Sequence, residues 1–188
     1  MTSLVLITGN QSKAAEYSRL LGIEVSAQKV PLPEVQALDV EEVASAKAQA
    51  AFDAIKRPVI VDDSGISFDA WVGLPGALTS WFMDTVGNEG LIRMLDGFDN
   101  RQATVKTAIG YCDSSGARAF VGEVRGFIAR EPRGSNGFGY DPIFVPSAGT
   151  LTFAEMSDGE KDLLSMRALA CHSLLRGMNG GSDETPGV

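Results

Sequence analysis

Short apolar runs alternating with amphipathic helical stretches set the strongest limit on what this chain can fold into. Residues 3–8 read as a buried strand, Gly9-Asn10 punctuates it, and a helical pattern follows from about Ser12 to Leu21. Ala14, Tyr17, Leu20 and Leu21 recur there at helical spacing, and Gly22 closes the segment. Residues 23–28 suit a second strand, and Pro31-Leu32-Pro33-Glu34 is held extended because a residue before proline avoids the helical basin. A second helix is expected over about 39–55. Pro58-Val59-Ile60-Val61 then opens a third strand, which ends in Asp62-Asp63-Ser64-Gly65. Residues 66–76 read as a Gly/Pro-rich loop, followed by helix to about Leu95 with an interruption at Gly87 to Gly90. Residues 102–112 and 117–130 alternate as an antiparallel pair joined at Asp113-Ser114-Ser115-Gly116. Strand, helix, strand, helix, strand and hairpin together predict an α/β fold built on a mixed sheet.

Bulk properties narrow the function. A chain of 188 residues makes one domain, or two lobes sharing one sheet, and residues 1–176 are expected to form it. The last stretch, 177–188, is rich in Gly, Ser and acid with little to bury, and is expected to be disordered. No apolar run reaches membrane-spanning length, and Leu4-Val5-Leu6-Ile7 is too short and lacks the basic flank of a signal peptide. Cys112 and Cys171 are far apart, which fits a reducing cytoplasm. The net charge of −8 opposes binding to a nucleic-acid polymer but not to a small phosphate ligand. With His172 as the one histidine, any metal must rest on oxygen ligands, which points to Mg²⁺ or Mn²⁺.

The stretch 136–146, Asn-Gly-Phe-Gly-Tyr-Asp-Pro-Ile-Phe-Val-Pro, combines turn-forming residues with two aromatics and one carboxylate. Phe138 and Tyr140 would fall on one side of a strand, with Gly137 and Gly139 permitting close backbone approach. Two free rings beside Asp141 suit a nucleobase. A tight loop with buried aromatics is the competing reading.

Three further segments carry chemistry. Thr8-Gly9-Asn10 joins a strand end to a helix start, where unpaired N–H groups and the helix dipole favour an anion, and Lys13 lies one turn in. An Asn-capped helix with a solvated lysine is the plainer alternative. Lys47 projects from the apolar side of the second helix, among Val40, Val43, Ala44, Ala51 and Ile55. A lysine there is costly unless an anion meets it, and the alternative is snorkelling along its own stem. Asp62 and Asp63 follow a buried strand, so their side chains point to opposite sides, at the strand end where α/β ligands collect. Glu34 adds a third carboxylate from a rigid loop. Such carboxylates can hold Mg²⁺ against phosphate oxygens while one activates water.

Near the C-terminus, Ser157 and Glu160 make a capping box. Ser165 and Arg167 would project about 200° apart on an unbroken helix. If both serve one ligand, the helix must break between a short segment 158–163 and a new one capped by Ser165. A single amphipathic helix is the alternative.

Together these segments resemble the inosine triphosphate pyrophosphatase family. The matching motifs are Thr-Gly-Asn-x-x-Lys-x-x-Glu at 8–16, Asp-Asp-Ser-Gly at 62–65 and Gly-Leu-Pro-Gly with Trp-Phe at 73–82. Gly-Phe-Gly-Tyr-Asp-Pro at 137–142 and Thr-Phe-Ala-Glu-Met with Glu-Lys at 152–161 follow in the same order. The resemblance implies a long central mixed sheet flanked by helices, two lobes with an active-site cleft between them, and a homodimer. It implies hydrolysis of ITP, dITP and XTP to the monophosphate and pyrophosphate, with Mg²⁺ required. Carried over by motif, Thr8, Asn10, Lys13 and Lys47 would hold the triphosphate, with Gly9, Ser64 and Gly65 beside them. Glu34 and Asp62 would bind metal, with Asp63 counted in the metal set too, and Asp63 would orient and deprotonate the attacking water. Phe138 would stack on the base, with Gly139, Tyr140, Asp141, Lys161, Ser165 and Arg167 around it.

One position departs from the family. Ser165-Met166-Arg167 stands where the family usually carries Ser-His-Arg, and Met166 donates no hydrogen bond to a purine 6-oxo group. Two alternatives therefore stand beside the pyrophosphatase: one with shifted base specificity, and a nucleotide-binding module without turnover.

Overall fold

The computed structural model describes residues 4–33 and 35–178. The expectations for Glu34 and for the tail beyond Met178 lie outside the described residues. β1 (Leu4–Ile7), α1 (Gln11–Leu21), β2 (Val25–Gln28), α2 (Val40–Ile55) and β3 (Val59–Phe68) follow the anticipated order. Asn10 starts α1 by accepting from the N–H groups of Ser12 and Lys13, and Gly22 ends it in the left-handed region at φ 65°. Asp39 starts α2 by accepting from Glu41 N–H. Then come β4 (Pro75–Gly76), α3 (Thr79–Thr85), α4 (Gly87–Met94) and the hairpin of β5 (Gln102–Asp113) and β6 (Gly116–Ile128). β7 (Phe144–Pro146), α5 (Asp158–Asp162) and α6 (Met166–Met178) complete the chain.

The seven strands form one mixed sheet in the order β2-β1-β3-β5-β6-β7, with β4 paired to the end of β3. β1 is parallel to β2 and β3, while β3, β5, β6 and β7 are antiparallel neighbours. All ten residues of β3 pair with β5, from Val59 opposite Cys112 to Phe68 opposite Ala103.

Alternation along the strands divides the core. Leu4, Leu6, Ile60 and Ile109 pack under α1 and α6, while Val5, Ile7, Val59, Val61 and Ala108 pack against α2. The far halves of β3 and β5 serve a third cluster, where Ile66, Phe68 and Val105 meet Leu91, Leu95 and Phe153. Asp62 to Gly65 belong to none of these clusters. They mark the waist of the sheet, between the first two clusters and the third.

Several local expectations are corrected. Asp62 to Gly65 sit in the middle of β3 and not past its end, because β5 is long enough to pair with the strand throughout. Residues 66–76 are the end of β3, a 3-10 turn at Asp69–Trp71 and β4, not a loop. Gly65 is needed there because a side chain would run into the Gly76 carbonyl. The helical break falls at Val86, and α4 restarts on Gly87 at φ 63°. Residues 136–143 form consecutive bends and turns and not a strand, with Gly137 and Gly139 at φ 75° and 61°. α6 runs through Gly177 and Met178, two residues assigned to the tail from composition. The break between α5 and α6 is present, and Ser165 Oγ accepts from Ala168 N–H at 3.2 Å as the cap of α6.

Candidate active site

At the waist, neighbouring positions on β3 send Asp62 and Asp63 to opposite faces of the sheet. Asp62 meets α1 and α6: its oxygens accept from Lys13 Nζ at 3.0 and 3.2 Å and from Arg167 Nη2 at 3.4 Å. Asp63 meets α2 and accepts from Lys47 Nζ at 2.9 Å. Lys47 rises from the helix face that buries Val43, Ala44 and Ala51, so its ammonium finds a carboxylate where snorkelling would have taken it to water. Both aspartates and both lysines line one cleft of about 420 Å³, with Phe138 on its wall.

The two carboxylates differ electrically. Burial pushes Asp62 up, yet Lys13 and Arg167 outweigh it and hold this carboxyl below the ordinary aspartate range. Burial also pushes Asp63 up; Lys47 offsets that only in part and Asp62 adds to it, so Asp63 stays above the ordinary range. One carboxylate is thus locked as an anion and its neighbour is the better proton acceptor.

The base side centres on one ring, not two. Phe138 is 44 % exposed, with Lys161 Nζ 5.4 Å and Arg167 Cζ 5.3 Å from its ring centroid. Tyr140 is buried, and its hydroxyl has no hydrogen-bond partner among the described residues. Asp141 accepts from Lys161 Nζ at 2.6 Å and from Phe138 N–H at 2.7 Å, so it shapes the loop that presents Phe138. Gly137 belongs to that arrangement, because a side chain there would strike the Asp141 carboxylate. Arg167 is 1 % exposed, and its Nη1 donates to both oxygens of Glu16 at 3.0 Å. Burial opposes its charge, but Tyr17, Asp62 and Glu16 nearby keep it firmly protonated.

The other candidate residues fall around this centre. Thr8 Oγ1 accepts from Asn10 N–H at 3.1 Å, and Gly9 lies between them at the start of α1. Asn10 already occupies two first-turn amides, so the helix start offers fewer unpaired donors than the sequence suggested. Ser64 shares a 2.7 Å hydrogen bond with buried Thr107 on β5. Gly139 O accepts from Asn88 on α4 at 3.0 Å, and Ser165 is committed to capping. For a cation, Asp62 and Asp63 offer only oxygen donors, a chemistry that fits Mg²⁺ or Mn²⁺. Among the described residues no third His, Cys, Asp or Glu completes a cluster with them, and Glu34 lies outside that set.

Sequence reasoning missed Glu16 as a site residue, although it stands three positions after Lys13 on the same helical side. It also missed Ser80 and Asp84, which line the cleft from α3. No spacing announces them, since only tertiary packing brings α3 to the cleft.

Residues 4–177 match the Ham1 family. This chain belongs to the Ham1 family. The Ham1 chain is 42 % identical over 171 residues to a dITP/XTP pyrophosphatase of Methanopyrus kandleri, covering 89 % of itself and 91 % of that relative. It is 42 % identical to inosine triphosphate pyrophosphatase 2 of Trypanosoma cruzi, covering 91 % and 89 %. Among solved structures, the Ham1 protein of Coxiella burnetii superposes with TM-score 0.85 at 30 % identity, over 96 % of this chain and all of that one (100 %). The Staphylococcus aureus Ham1 protein gives 0.83 at 29 % identity, over 95 % and 99 %. Among the described residues of this Ham1 protein, no helix is long and apolar enough to cross a membrane.

Proposed function

We propose that this protein hydrolyses ITP, dITP and XTP to the nucleoside monophosphate and pyrophosphate, removing non-standard purines from the nucleotide pool. Its relatives carry names for that activity. The observation that carries the reading is the waist of the sheet, where Asp62-Lys13 and Asp63-Lys47 pairs face one cleft walled by an exposed aromatic ring.

Phe138 stacks on the base, and Lys13 and Lys47 neutralise the polyphosphate. Asp63, the more basic carboxylate, takes a proton from water as its oxygen attacks the α-phosphorus. The α–β anhydride breaks, and the electron pair leaves on pyrophosphate beside the lysines. Asp62, Asp63 and Glu34 would hold Mg²⁺, or Mn²⁺ in its place, which when bound neutralises phosphate charge as a Lewis acid. The protein works in the cytoplasm as a homodimer on a small nucleotide. The exposed apolar residues Val72 (95 %) and Trp81 (62 %) support a second copy as its partner.

Release of pyrophosphate from ITP, XTP and ATP by the wild type and Asp63→Asn tests this. Loss of about 10²–10⁴-fold is expected in the variant, and equal rates remove Asp63 as base. Binding of ITP without turnover by the wild type would instead leave a nucleotide-binding module. Met166 favours one variation on substrate. It lines the cleft almost fully buried and supplies no donor to the base, so discrimination against a 6-amino purine rests on Arg167, Lys161 and backbone groups.

A further inference from the structure

Among the described residues, the cleft carboxylates of Asp62, Asp63 and Asp141 each already have a cation, while Asp84 on α3 has none. Lys13 lies on Asp62 at 3.0 Å, Lys47 on Asp63 at 2.9 Å, and Arg167 joins Glu16 to Asp62. The carboxylates are sheltered, with 3 % and 14 % side-chain exposure, whereas both lysines keep 23 % and form the solvent-facing side of their pairs. A free divalent cation reaching these oxygens must first displace an ammonium group that, among the described residues, has no other carboxylate within ion-pair distance.

We infer that Lys13 and Lys47 are latches that close Asp62 and Asp63 to a divalent cation until a polyphosphate draws the ammonium groups away. This rests on the pyrophosphatase reading and adds the order in which the site assembles. A triphosphate brings acceptor oxygens of its own. The lysines exchange a carboxylate for phosphate, and the freed Asp62 and Asp63 oxygens would then be open to hold a cation. Metal and nucleotide therefore favour each other, and the coupling must be reciprocal. The Lys161–Asp141 pair at 2.6 Å takes no part, because Asp141 also holds the Phe138 loop.

The test measures Mn²⁺ binding to the metal-free full chain without nucleotide, by electron paramagnetic resonance of free Mn²⁺. Lys13→Met and Lys47→Met are each expected to bind Mn²⁺ about ten-fold more tightly than the wild type, within the roughly 5–150-fold span of such couplings. Adding Asp62→Asn to Lys13→Met is expected to abolish the gain. Equal Mn²⁺ affinity in wild type and both variants overturns the latch, as does a gain that survives Asp62→Asn. Lys13→Gln supplies a second truncation, with thermal melts confirming the fold. Pyrophosphate release by the wild type separates the two ideas. An active enzyme whose variants gain no Mn²⁺ affinity loses the latch alone, whereas an inactive wild type removes the activity and leaves the Mn²⁺ result to judge the ion pairs.

Discussion

Phe138 shows how much one side chain can be asked to do. Its ring is the exposed aromatic on the cleft wall, so Phe138→Ala should weaken nucleotide binding by about 1–3 kcal/mol, the usual worth of base–aromatic stacking. A raised KM for ITP with a smaller change in kcat is the expected result, and an unchanged KM would place the base elsewhere. Met166→His restores a donor on the cleft and should raise the ITP-to-ATP rate ratio, measured under saturating metal. At this scale the sequence was a good guide to which residues matter and a poor guide to their state. Lys47 announced itself as a charge on an apolar stripe. Nothing local indicated that Arg167 would be almost completely buried, because its burial depends on Tyr17 and Glu16 from a helix some 150 positions earlier.

Helices carry the site's cations, Lys13, Lys47, Lys161 and Arg167, so their attachment should be measurable. Gly122 on β6 lies against the first turns of α6, where a side chain would collide with the Met166 carbonyl and Leu169. Gly122→Ala should cost about 1–3 kcal/mol in urea unfolding and also raise KM, since Met166 and Arg167 ride on that helix. At α2, Asp39→Ala should cost about 1 kcal/mol at neutral pH through loss of the cap. The Glu41 N–H and then Lys106 hold the Asp39 carboxyl below its ordinary range. Its stabilisation is therefore fully present above the unfolded value near pH 4 and disappears as pH falls through the lower folded one. Wild type and Asp39→Ala should accordingly converge in stability in acid, and a gap that persists there would assign the effect to packing. The helix boundaries were legible because caps are local: Asn10, Gly22, Asp39, Ser157 and Ser165 all act within four residues. The extent of β3 was not, because its second half is held by β5 some 40 residues away.

Across the whole molecule, Val72 at 95 % and Trp81 at 62 % are large apolar side chains left facing solvent. Wild-type protein should sediment as a dimer and Trp81→Glu as a monomer with near-native secondary structure. A monomeric wild type would remove the proposed partner. The sequence by itself determined the order of elements, their caps and the chemical inventory, because hydrophobic period and capping are short-range properties. Only the tertiary structure decided that Asp62 and Asp63 lie mid-strand, each closed by its own lysine, with Phe138 as the exposed ring on the cleft wall. Those features depend on strand register and on which distant helix covers which face, and no window along the chain contains both partners.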